Sequence, residues 1–140
     1  FFAQKSPGGK CIFRGAIYEG CEGVKNHFLV WMKDAEKDLT GKLYLHEVVS
    51  PIIEVAQDAQ TAKAQFSSIG YETAYGPSDT LISLWSWDKY RVDFVHEDGE
   101  WKIYNLDFHT TFLTSYDGKG WTEEPDYDMG KYLPPGTFDE

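Results

Sequence analysis

The sequence predicts an α+β fold in which a curved antiparallel sheet wraps on N-terminal helices to form a conical barrel with a cavity inside. Three observations carry that expectation. Residues 81–114 read as two long strands, rich in aromatic and β-branched side chains, joined at Asp98-Gly99. That dipeptide tolerates the positive φ angles of a two-residue hairpin turn. An earlier strand pair, residues 43–55 and 61–73, turns at the polar stretch Gln57-Asp58-Ala59-Gln60. Ahead of all four strands, Val24, Phe28, Trp31, Met32 and Ala35 recur at helical spacing across residues 19–36.

Residues 1–20 are Gly-rich, with Ile12, Phe13, Ile17 and Tyr18 placed to make a short strand pair around Arg14-Gly15. The helix follows, with Glu22 in the first turn, where the dipole favours a carboxylate. His27 falls toward its solvated side. Pro51 sits inside the strand at 43–55. Proline lacks a ladder donor, so this strand bends or bulges there, or runs along an edge. Tyr75-Gly76-Pro77-Ser78 breaks the chain before the long hairpin. From residue 115 to 140 glycines and prolines preclude regular structure over most of the length, leaving an irregular acidic tail. Nothing suggests a repeat or a second domain, so residues 1–140 read as one domain.

A two-residue turn at Asp98-Gly99 sets Phe94 against Ile103 and Tyr90 against Asp107. Alternation then gathers Ser86, Asp88, Tyr90, Val92, Phe94, Trp101, Ile103, Asn105, Asp107 and His109 on one face. That face is apolar near the turn and polar away from it, as a core grading into a cavity would be. Trp101 and Ile103 are expected to be buried with Phe94. The other face mixes Lys89, Arg91, Asp93 and Lys102 with Trp85, Trp87, Tyr104, Leu106, Phe108 and Phe112. So aromatic a surface implies cover by another copy, in a dimer or trimer.

The 140 residues carry a formal charge of −10, and the tail supplies about half of it. Acidity of that size argues against nucleic acid or an anionic membrane as partner, since phosphate contacts need clustered Lys and Arg. No apolar run reaches the roughly 20 residues of a membrane span, and no leader segment is visible, so a cytoplasmic setting is the default. Cys11 and Cys21 are too few for a disulfide framework and read as reduced core residues. The chain opens on Phe1-Phe2-Ala3 as though joined mid-domain.

No GxSxG, P-loop, HExxH or GxGxxG is present, and the four histidines are far apart in sequence, so neither metal nor cofactor is expected. His46 precedes the Pro51 bend and alternates with Val48 and Ser50. An imidazole there can take and return protons near neutral pH, or can simply be half-buried and hydrogen-bonded to the next strand. His109, the second candidate for the chemistry, shares its face with Asp107 and with Asn105, a candidate substrate contact. It lies opposite Asp88, where a carboxylate can orient it or it can merely satisfy one. Asp88 and Tyr90 are placed to hold a substrate hydroxyl or carbonyl, although a Tyr in an aromatic strand is equally a core residue with its hydroxyl capped. Trp31 on the helix and Phe66 on the second strand complete the candidate lining. His96, beside the turn, is expected to be exposed.

These residues resemble the SnoaL-like family, in the superfamily of nuclear transport factor and scytalone dehydratase. The resemblance is carried by His46-x-x-x-x-Pro51-Ile52-Ile53-Glu54-Val55, by Thr61-Ala62-Lys63-Ala64, and by Trp87-x-x-Tyr90-x-x-x-Phe94-x-x-x-Asp98-Gly99-x-Trp101-Lys102-Ile103. Ile17-Tyr18-Glu19-Gly20-x-Glu22-Gly23-Val24-Lys25 adds a helix start of the same kind. The resemblance implies the cystatin-like roll. It also implies kinship with dehydratases of polycyclic substrates, such as scytalone dehydratase and bile acid 7α-dehydratase. In those enzymes a pocket histidine five residues before a comparable Pro moves a proton beside a carbonyl while a hydroxyl leaves. It works with a Tyr and an Asp from N-terminal helices, for which this chain shows no counterpart. His46 matches the histidine, and His109-Thr110-Thr111 departs from the basic residue that the bile acid enzyme places on its final strand. The resemblance therefore implies a cofactor-independent lyase or isomerase on a hydrophobic, ring-bearing hydroxy-carbonyl compound. A non-catalytic small-molecule-binding or association module of the same fold stands beside it.

Overall fold

The computed structural model describes residues 1–5, 8–13, 15–31, 40–75, 80–117 and 137–138. The strands are β1 (Lys10–Phe13), β2 (Ala16–Glu19), β3 (Tyr44–Val55), β4 (Thr61–Tyr75), β5 (Leu81–Glu97), β6 (Glu100–Ser115) and β7 (Thr137–Phe138). They form one sheet in the order β3-β4-β5-β6-β1-β2-β7. The long members β3 to β6 are the antiparallel meander expected from the sequence. β1 adds to β6 in parallel, and β7 pairs with β2, so part of the tail is regular. Helix α1 (Gly20–Lys25) continues as a π-helical segment, Asn26–Trp31, between β2 and β3. The rest of the expected helix, including Met32 and Ala35, lies outside the described residues.

Both turn expectations hold. Asp98 (φ 54°) and Gly99 (φ 83°) occupy the left-handed region that a type I′ hairpin requires. The β3–β4 register slips between Val49 and Ile52, and Ser50 takes φ 52°, so Pro51 lies in a bulge on an edge strand. That placement puts the residue without a donor outside the paired positions and breaks the flat edge that would otherwise invite pairing.

The β5–β6 register departs from strict alternation. Glu97 opposes Glu100 and Phe94 opposes Ile103, but a bulge then absorbs Tyr104, and Asp93 opposes Asn105. Tyr90 consequently faces Phe108, not Asp107. A second irregularity between Trp87 and Asp88 absorbs Thr111. One extra residue reverses which face each later side chain meets. Leu106 and Phe108 thus turn inward, while Asn105, Asp107 and His109 turn outward.

The core is built where the helical segment covers the sheet. Cys11, Ala16, Tyr18 and Val24 pack with Phe13, Phe28 and Phe108. Ala64, Val92 and Leu106 continue that core under Phe66, Tyr90, Phe94 and Ile103. Trp101, expected inside, is 44% exposed, because it sits at the hairpin tip beyond the helical cover. His96 is half-buried beside it, with ring centroids 5.3 Å apart, rather than exposed. Cys21 is exposed, leaving Cys11 as the core thiol. Burial pushes the Cys11 thiol up to about 12, which makes it inert.

His27 corrects the sequence reading most sharply. It is 1% exposed, not solvated. Its ring stacks on Tyr18 at 4.6 Å and meets Phe28 at 4.7 Å and Phe13 at 5.1 Å. Desolvation in that aromatic box lowers its pKa to about 4, so the ring is neutral at pH 7.

Candidate functional site

A row of paired residues crosses the sheet from its β3 edge: His46 on β3, Gly70 on β4, Ser86 on β5. The middle residue has no side chain, and this absence makes the site. A Cβ on Gly70 would overlap Ser86 Oγ and His46 Cε1 and would stand 2.7 Å from His46 Nδ1. With that space vacant, the imidazole lies across β4 and reaches the side chains of β5.

Around the ring stand three oxygen-bearing groups. Glu72, two residues along β4, places Oε1 3.0 Å from His46 Nε2. Asp88 on β5 places Oδ2 3.5 Å from Nδ1, and the Tyr90 hydroxyl lies 3.3 Å from the same nitrogen. Ser86 Oγ donates to Asp88 Oδ2 at 2.9 Å, fixing the carboxylate. Side-chain exposure runs from 30% at His46 through 13% at Glu72 to 5% at Asp88. The imidazole is thus the solvent-facing member, with its partners beneath. Asp88 Oδ1 and the fully buried Ser68 Oγ, on residues paired across β4 and β5, have no hydrogen-bond partner among the described residues. Toward the hairpin the polar cluster passes into an aromatic floor, where Tyr90 meets Phe108 edge-on at 4.6 Å and pairs with Phe66 across the strands.

Two protonation states fit this geometry. A neutral ring with its proton on Nε2 donates to Glu72 and keeps a lone pair on Nδ1 that accepts from Tyr90. An imidazolium donates to Glu72 from one nitrogen and faces Asp88 with the other. The same surroundings therefore support the ring before and after it takes a proton, which a general base requires.

Of the residues singled out in the sequence, His46, Asp88 and Tyr90 converge here, with Phe66 next to them. His109 is exposed on the opposite face, across from Lys89. Asn105 is also outward and donates to Asp93 Oδ2 at 3.3 Å. The bulge at Tyr104 separates both from Tyr90. The Trp31 side chain lies outside the described residues. Glu72 was missed by sequence reasoning. Its signal was available, since it alternates with Phe66, Ser68 and Gly70 on one face of β4. Spacing along the chain also concealed the convergence of one imidazole and two carboxylates, because the three come from three different strands. A separate open cleft of about 550 Å³, lined by Glu54, Lys63, Asp93, Phe94 and Tyr104 among others, includes none of the cluster.

Residues 8–107 match the SnoaL-like domain. The chain belongs to the SnoaL-like family. It matches no curated protein. Among solved structures, a hexachlorocyclohexane dehydrochlorinase of type 3 from Novosphingobium barchaimii LL02 is similar with TM-score 0.60 and 16% identity, over 79% of this chain and 70% of that one. A Novosphingobium aromaticivorans protein named for scytalone dehydratase is similar with TM-score 0.54 and 15% identity, over 84% and 72%. A Mycobacterium tuberculosis protein of unknown function gives TM-score 0.50 and 16% identity, over 73% of this chain, which spans only 56% of that protein. At these identities the likeness is one of fold alone. No helix among the described residues is long and apolar enough to cross a membrane.

Proposed function

We propose that this SnoaL-like domain is a small lyase or isomerase acting on a hydrophobic, ring-bearing hydroxy-carbonyl compound, with His46 as general base. One observation carries the reading: an imidazole at the solvent-facing edge of the inner face, held by Glu72 on one nitrogen and turned toward Asp88 and the Tyr90 hydroxyl with the other. Nδ1 takes the proton from the carbon beside the carbonyl, and Glu72 stabilises the imidazolium that results. Tyr90 donates its hydroxyl hydrogen bond to the developing enolate oxygen. The imidazolium then returns its proton to the departing hydroxyl, which leaves as water, or to another carbon, which completes an isomerisation. The aromatic floor of Phe66, Tyr90 and Phe108 suits the apolar rings of such a substrate. The dehydrochlorinase and the protein named for scytalone dehydratase among the similar folds agree with elimination chemistry.

The test is a screen of the full protein against hydroxylated steroids and polyketide-like ketones, following loss of water by mass. Positioned acid–base help contributes about 10²–10⁴-fold in rate. His46→Ala is expected to lose turnover by that order, with ligand affinity largely kept. A variant that turns over as fast as the parent would make His46 structural. Saturable binding of the same compounds, with no product formed by the parent protein, would instead favour a binding module.

A further inference from the structure

The cluster around His46 has one property that proton transfer leaves unexplained. Asp88 is 4% exposed, yet among the described residues one of its two carboxylate oxygens has no hydrogen-bond partner, and neither does the hydroxyl of Ser68 paired across from it. Buried oxygens of this kind carry a desolvation cost unless an ion or water meets them. A proton on each imidazole nitrogen answers Glu72 and Asp88 Oδ2, but reaches neither of these two oxygens. A hydrated cation answers both.

We propose that His46, Glu72 and Asp88 form a binding site for a divalent transition-metal ion. One ligand atom from each residue lies within 4.8 Å of the other two. Metal–nitrogen and metal–oxygen distances of about 2.0–2.2 Å place adjacent donors about 3 Å apart and opposite donors about 4.2 Å apart. The 3.0 Å between His46 Nε2 and Glu72 Oε1 already has the spacing of an adjacent pair. The widest separation closes by about half an ångström through side-chain rotation. One imidazole and two carboxylates suit zinc, manganese, cobalt or iron(II), and suit calcium poorly. Three protein ligands leave open positions for water. An ion bound through Nε2 would place the ring proton on Nδ1, filling the lone pair that the proposed proton transfer needs. Occupancy is therefore expected to block that chemistry, and a binding measurement stands independently of it.

The experiment titrates the full protein, stripped with a chelator, with cobalt(II) chloride and separately with zinc chloride. Heat of binding, visible cobalt absorption and thermal unfolding are followed. One equivalent is expected to bind, raising the melting temperature with metal concentration. Glu72→Gln and His46→Ala are each expected to weaken binding by at least about tenfold, since removing even a supporting residue of a metal site costs 10–100-fold. His96→Ala, at the hairpin tip, retains parental affinity. Circular dichroism of the metal-free variants confirms that they fold, and Asp88→Asn is added where it does. No heat and no melting shift at millimolar metal overturns the proposal. So does binding that survives in Glu72→Gln and His46→Ala at parental strength, which would place the ion elsewhere.

Discussion

Acid is expected to destabilise this domain through His27, a residue remote from the proposed chemistry. Its folded pKa is about 4 against 6.5 for a free imidazole, lowered by burial. The unfolded chain therefore binds a proton between those values that the folded chain refuses. Stability rises with pH wherever the unfolded state holds more protons. The contribution of His27 is thus fully present above pH 6.5 and drains away as the pH falls toward 4. From the two pKa values, the loss relative to pH 7.5 is about 2 kcal/mol at pH 5 and about 3 kcal/mol at pH 4. An opposing effect exists, because Tyr18, Phe13 and Phe28 surround the ring, and aromatic faces attract a desolvated cation by about 2 kcal/mol. The ring lies 29° from parallel with Tyr18, stacked rather than pointing an N–H into its face, so desolvation is expected to win. The assay is urea unfolding of the parent and His27→Phe at pH 7.5, 6, 5 and 4.5. Because other groups titrate in both proteins, the quantity of interest is their difference. It should shift by about 2 kcal/mol in favour of the variant between pH 7.5 and 5. Parallel curves would show that the aromatic box holds the imidazolium after all, and the reasoning would fail.

Gly70→Ala is expected to abolish the proposed turnover while costing about 1–3 kcal/mol in stability, the usual penalty of an overfilled site. The added methyl displaces His46 and Ser86 together; a fully active Gly70→Ala protein would show that ring placement does not matter. Glu97, 7% exposed at the hairpin tip, accepts the backbone N–H of Gln4 at 3.0 Å and of Lys5 at 3.2 Å. Glu97→Gln should lower unfolding free energy by about 1–2 kcal/mol and speed amide exchange in residues 3–5, which hydrogen-exchange mass spectrometry reads. The outward face bearing Trp87 and Tyr104, 41% and 42% exposed, is proposed to meet a second copy of the chain. A monomer at micromolar concentration by light scattering would end that proposal.

Most of the architecture was legible because it rests on short-range chemistry. Asp98-Gly99 declares its turn through φ, Pro51 declares a bulge or an edge through its missing donor, and period-two patterning marks the strands. What the sequence concealed depends on single insertions and on cover from elsewhere. Tyr104 looks like any strand residue, yet as a bulge it inverts the facing of Asn105, Asp107 and His109. His109 was thereby lost from the candidate site and Phe108 gained by the core. His27 looked solvated because the helical stripe was drawn through Val24 and Phe28. The segment instead passes into a π-helical turn at Asn26, which changes the angular spacing and carries His27 inward. Glu72 needed only the alternation already used for Phe66, but its proximity to His46 depends on a cross-strand register fixed by the Ser50–Pro51 bulge.

The parallel seam between β1 and β6 has a consequence for how the chain is made. Lys10 pairs with Asn105 and Phe13 with Phe108, and Phe2 bridges to Ile103. On a ribosome, the β1–β2 hairpin and α1 emerge early, yet the strand that seats them is among the later stretches to appear. A nascent chain ending before residue 100 holds β3, β4 and β5 as a sheet with one flank bare, and Cys11, Tyr18 and Val24 without Phe108 to pack on. Contacts of such separation slow the search for the native state and prolong exposure of sticky surface. The bulge at Pro51 interrupts the β3 edge, so of the two outer strands only β5 offers an unbroken edge to a neighbouring nascent chain while β6 is still being synthesised. The same residue that bends the strand beside His46 therefore also guards one edge of the chain during its slowest wait.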